Sequence, residues 1–159
     1  LPELNLEGDV NTTFGNRCVS TVDTNKSLSV EVGAVDGSAT MELAIDQAYD
    51  TISEAISIEQ SFDLASDQAD LDIVTGINLS PSCLNGDAER IPMSTWAAKS
   101  GLVRLQIVPT QAGGEETAPE FEVNIDIRNA VIEENSIGET MAIEEMSLTG
   151  IPFKGSLEN

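Results

Sequence analysis

Residues 120–133 read "EFEVNIDIRNAVIE". In this run Phe121, Val123, Ile125 and Ile127 fall on one side of an extended chain, and Glu122, Asn124, Asp126 and Arg128 on the other. Successive side chains of a strand point to opposite faces, so the run buries its apolar half against a core and leaves its polar half in water. The pattern recurs along the chain. "DLDIVTGINLS" offers Leu71, Ile73, Thr75, Ile77 and Leu79; "SLSVEV" offers Leu28, Val30 and Val32; "ATMELAI" offers Met41, Leu43 and Ile45. "AISIEQSFDLA" sets Ile56, Ile58, Phe62 and Leu64 on one side, "GLVRLQIV" does so with Val103, Leu105 and Ile107, and "TMAIEEMSL" is a weaker version. Turn clusters separate these runs: "VDGS", "SPSCLNGD", "PTQAGGEETAP", "NSIGE" and "TGIPFKG".

Strands of this length at this spacing predict a mainly β fold, an antiparallel β-sandwich or a barrel-like variant of it, with at most one or two short helices. One helix is expected from about Ile45 to Ser53, because Ile45, Ala48, Ile52, Ala55 and Ile56 of "LAIDQAYDTISEAI" form a stripe of helical period. "AERIPMSTWAAKSG" is read as a further turn of helix around Trp96. A chain of 159 residues with 40% apolar residues can bury a single core. The expected organisation is an arm, residues 1–12, followed by one domain over 13–159. The alternation in β-strand terms also sets two positions apart: Ile125→Asp should prevent folding, whereas Asp126→Ser should change stability by less than about 0.5 kcal/mol.

Charge narrows the partners. Twenty-eight Asp and Glu against seven Lys and Arg give a net charge of −21. That field repels phosphate backbones and anionic headgroups, so no nucleic-acid partner is expected. No stretch reaches the ~20 apolar residues of a membrane helix, so no membrane span is expected. The chain reads Leu1 first rather than Met, which fits a processed, exported protein. Cys18 and Cys83 are the only cysteines, and in an exported chain they are expected to form one disulfide; the long loop it closes would contribute about 4 kcal/mol. The expected location is therefore extracellular or at the cell surface.

Catalytic chemistry finds little to work with. There is no histidine, no G-x-S-x-G elbow, no S-x-x-K motif and no phosphate-binding glycine loop. A bridged cysteine pair leaves no thiol nucleophile. No enzyme is expected, although a carboxylate-based hydrolase stands as a third reading because acidic side chains abound. The acidic loops are also the candidates for calcium, a cation that takes several oxygen ligands. "DTNKS" spaces Asp23 and Asn25, "NGDAE" spaces Asn85, Asp87 and Glu89, and "SDQADLD" supplies Asp67, Asp70 and Asp72. None of these follows an EF-hand loop, so calcium is the one cofactor considered and none is required. N-glycosylation triplets begin at Asn11, Asn25 and Asn78.

The opening "LPELNLEGDV" alternates too, with Leu4, Leu6 and Val10 as its apolar side. Such an arm pairs either with its own sheet or with that of a neighbour by strand addition. Repeated head to tail, strand addition builds a filament. The general plan resembles that of pilin-like subunits assembled by strand donation, as architecture only, since none of their residue motifs is matched. The sequence thus predicts a non-enzymatic structural subunit that self-assembles into a homo-oligomer or homopolymer, a surface filament or pilus-like fibre. The second reading is a monomeric secreted binding module whose acidic loops take calcium or a basic partner.

Overall fold

The computed structural model describes residues 2, 13–22, 26–49, 56–81 and 89–154. Eight strands account for most of them: β1 (Asn16–Val22), β2 (Ser27–Gly33), β3 (Ala39–Ile45), β4 (Ile58–Asp63), β5 (Ala69–Ile77), β6 (Ile91–Gln111), β7 (Glu120–Glu134) and β8 (Thr140–Lys154). All pairings are antiparallel, and the strands form one sheet in the order β1-β2-β3-β5-β6-β7-β8, with β4 attached to β6. The sheet curls on itself as a half-barrel, so the mainly β, barrel-like expectation holds.

The long strands produce the curl. β6 pairs along its first part with β5 (Asp72 opposite Ala97) and along its second part with β4 (Phe62 opposite Val103), while β7 follows its other edge throughout. Between those parts the alternation changes phase. In β7 the buried apolar positions are Phe121, Val123, Ile125 and Ile127, then Ala130 and Ile132, with exposed Arg128 and Asn129 between them. Asn129 has φ 52°, and across from it the β6 register shifts at Ser100 beside Gly101, whose φ is 132°. A Cβ at Gly101 would lie 2.6 Å from the Ala130 Cα, so the two backbones meet here only because residue 101 lacks one. This bulge bends β6 and β7 together and carries the chain from one layer to the other.

The curled sheet encloses its own core. Val30, Val32, Met41, Leu43 and Leu71 of the first layer face Ile125, Ile127 and Leu148 of the second across a void of only about 10 Å³. An apolar gap that small is a packing remnant rather than a ligand cavity. The Phe121 and Phe153 rings, with centroids 5.6 Å apart, fill the far end.

Four local expectations need correction. Among the described residues no helix follows Ile45, which ends β3: Gln47 turns away with φ 51°, and buried Ala48 donates its N–H to the Lys26 carbonyl at 2.9 Å. Residues 50–53 of that expected helix lie outside the described residues. Trp96 lies within β6, opposite Ile73 of β5 and Glu134 of β7, so two strand partners override the helical preference of its alanine neighbours. Ile56 and Ile77 are 68% and 50% exposed rather than in the core, because Ile56 precedes β4 and β5 changes register at Thr75/Gly76. "TGIPFKG" is no turn through Lys154; β8 continues across it, with Ile151 and Phe153 buried. Among the described residues, no helix is long and apolar enough to cross a membrane.

Candidate functional site

The two ends of the sheet, β1 and β8, lie beside each other. Because every step from β1 to β8 is antiparallel and six steps separate them, the two run in the same direction. No ladder between them is found among the described residues. An edge strand displays backbone donors and acceptors that another strand can take up. Here they meet side chain and chain start instead. Arg17 of β1 donates from Nε to the Phe14 carbonyl (2.9 Å) and from Nη1 to the Thr149 carbonyl of β8 (2.5 Å). Further back on β8, the Ala142 N–H donates to the Pro2 carbonyl at 2.8 Å. Thr13 is tied in as well, its carbonyl accepting from the Val35 N–H at 2.9 Å.

The assembly residues Leu4, Leu6 and Val10 lie outside the described residues, as do Asn11, Asp23, Asn25, Cys83, Asn85 and Asp87. Cys18 sits in β1 opposite Glu31. Of the remaining calcium candidates, Asp67 lies exposed in the turn after β4, whereas Asp70 and Asp72 stand on the outer face of β5. Glu89 precedes β6, where its backbone carbonyl accepts from Nδ2 of exposed Asn78 at 3.1 Å. Among the described residues, no group of three or more His, Cys, Asp or Glu side chains is placed to hold a metal ion.

Register creates an acidic row that the linear sequence conceals. Glu31 of β2 lies opposite Glu42 of β3, and Glu42 lies opposite Asp72 of β5. Like charges directly opposite one another destabilise a sheet. Partial burial pushes the Glu42 carboxyl above its ordinary range, with the charges of Glu31 and Asp72 adding to the shift. Asp72 is raised too, by partial burial first and then by Asp70, with Lys99 acting against the shift.

A second polar surface lies outside β4, β6, β7 and β8. Arg104 donates from Nε to Glu59 at 2.8 Å, and Arg128 donates from Nε to Asp126 at 2.9 Å. Asp126 also accepts from the Ser147 hydroxyl at 3.1 Å. Asn124 donates to Gln106 at 3.0 Å and accepts from the Gly150 N–H at 2.8 Å. Arg104, Gln106, Asn124, Asp126, Ser147 and Thr149 line a shallow groove of about 200 Å³. Alternation alone marked Asn124, Asp126 and Arg128 as outward; their partners follow only from register. Their polar groups largely satisfy one another, which makes the groove a cross-braced surface. No family model, no curated protein and no solved structure matches this chain.

Proposed function

We propose that this chain is a non-enzymatic structural subunit of an extracellular or cell-surface assembly, a homopolymer in which residues 1–12 of one copy pair with the β8 edge of the next. The observation that carries this reading is the hydrogen bond from the Ala142 N–H to the Pro2 carbonyl. It sets the beginning of the segment on the backbone of an edge strand. A segment that satisfies part of an edge in its own chain meets an identical edge on a second copy, which is the condition for exchanging an element between protomers. Leu4, Leu6 and Val10 then supply the side chains for alternate pockets. Head-to-tail repetition of a contact that does not close gives a fibre.

Export enters this proposal through a Cys18–Cys83 bridge, which an oxidising compartment maintains. A thiol assay on the denatured, unreduced protein should find no reactive group; two groups would remove that support. The assembly itself is tested by size-exclusion chromatography with light scattering and negative-stain microscopy, on the full chain and on a variant lacking residues 1–10. The reading expects multimers or fibres from the first and monomers from the second. A full chain that stays monomeric across concentration contradicts it.

One observation favours a second reading, a monomeric binding module. The row Glu31–Glu42–Asp72 sets like charges beside one another, and a basic partner would relieve them. A melting temperature unchanged by a polylysine peptide would speak against it.

A further inference from the structure

A curled sheet whose end strands approach without a ladder can satisfy them in two ways: it can be pinned shut, or it can admit another strand. β1 and β8 are joined at Arg17, whose guanidinium bridges a carbonyl just before β1 and a carbonyl on β8. Hydrogen bonds from an ionised donor are roughly twice as strong as neutral ones, and the planar fork of arginine can hold two carbonyls at once. Its Nη1 reaches Thr149, while a second contact lies back at Ala142, where Pro2 accepts. The β8 edge from Ala142 to Thr149 is thus bracketed by two contacts from its own chain, one through backbone and one through Arg17.

Resting on the assembly reading above, we infer that Arg17 is the latch of the exchange site: it holds the β1–β8 seam shut, and its release lets residues 1–12 of a second copy pair with β8 between Ala142 and Thr149. The occupant is a second copy because Pro2 of this same sequence already engages that edge. Both sides of the exchange are acidic, with Glu3, Glu7 and Asp9 in the segment and exposed Glu144 and Glu145 on β8. Salt therefore acts twice in the same direction. It weakens the charge-assisted clamp and screens the repulsion between segment and strand.

The test uses full-length protein and a fluorescent synthetic peptide of residues 1–12, with uptake followed by anisotropy. Arg17→Gln should take up the peptide at least tenfold faster than the unaltered chain, and Arg17→Lys should fall between them, because an ammonium cannot fork across two carbonyls. The Leu4→Asp, Leu6→Asp peptide should not bind. A second measurement needs no variant: uptake by the unaltered chain should accelerate between 50 mM and 1 M salt. If the peptide binds and Arg17→Gln leaves its rate unchanged, the latch is wrong while assembly stands, whatever salt does to the rate. If no form takes up the peptide and the full chain is monomeric, the assembly reading fails and the latch with it. Should Arg17→Gln not fold, Arg17→Lys decides, since it keeps the charge and loses only the fork: uptake no faster than that of the unaltered chain would overturn the latch.

Discussion

Outside β4, β6, β7 and β8, each arginine meets a carboxylate: Arg104 meets Glu59, and Arg128 meets both Asp126 and Glu145. Outside β2, β3 and β5, carboxylate meets carboxylate, Glu31 against Glu42 and Glu42 against Asp72. Both surfaces arise from the same alternation of apolar and polar residues, so the hydrophobic pattern cannot be what separates them. Composition is. Seven basic residues cannot neutralise twenty-eight acidic ones, and two of the arginines lie where the longest strands run side by side. The braced face stabilises modestly, since exposed ion pairs contribute about 0–1 kcal/mol each. The acidic face is held by the core beneath it, where Val30, Leu43 and Leu71 are almost fully buried. Alternation selects which side is wet, and register decides whether the wet side attracts or repels itself.

The comparison breaks most severely from the inside. Ile125 lies under the braced face and is 3% exposed, so Ile125→Asp buries an unpaired carboxylate and should leave the chain unfolded, read by circular dichroism. On the outside of the same strand, Asp126→Ser removes acceptors for Arg128 and Ser147. It should cost about 0.5–1 kcal/mol in urea unfolding, more than its place on an outward face suggests. On the acidic face the sign reverses. Glu42→Gln should stabilise the protein at pH 7 by about 0.5 kcal/mol and lose that gain when the carboxylates are protonated.

Titration sharpens the contrast with the smallest effect. Glu42 and Asp72 have raised pKa values in the folded state, so they bind protons more tightly folded than unfolded. Their stabilising contribution is fully present below the unfolded values and is lost as pH rises through the folded ones. Asp36 and Glu134 behave oppositely. The Ser38 hydroxyl lowers the first, and the Ser136 hydroxyl, followed by the Ile137 N–H, lowers the second. Their contribution is lost as pH falls through their folded values. Stability should therefore peak on the acid side of neutrality, close to the ordinary carboxylate range. Thermal melts from pH 3 to pH 8 check this, and Glu42→Gln should flatten the neutral limb.

Much of the fold was legible in the sequence because a strand with one wet face writes itself as period 2. Val103, Leu105 and Ile107 show it, as do Phe121 through Ile127, and all of these are buried. The bends were harder to read. At Arg128–Asn129 the alternation changes phase through a left-handed backbone and a close approach at Gly101, features that depend on the partner strand. The expected turn of helix around Trp96 failed for a related reason, since strand pairing outweighed local propensity there. The candidate site was the least legible part. Arg17 meets Thr149 across 132 residues of sequence, and Glu31, Glu42 and Asp72 become neighbours only through register.

The central claim is that residues 1–12 engage β8 of another copy. The most direct measurement mixes isotopically heavy and light full-length protein, each carrying a photo-crosslinking residue at position 4, under conditions where each alone assembles. Mass spectrometry then reads the crosslinks to the β8 stretch from Thr140 to Thr149. Exchange between copies predicts heavy-to-light crosslinks in the proportion given by random mixing. Crosslinks that join only segments of the same isotopic label, at every concentration, would contradict it.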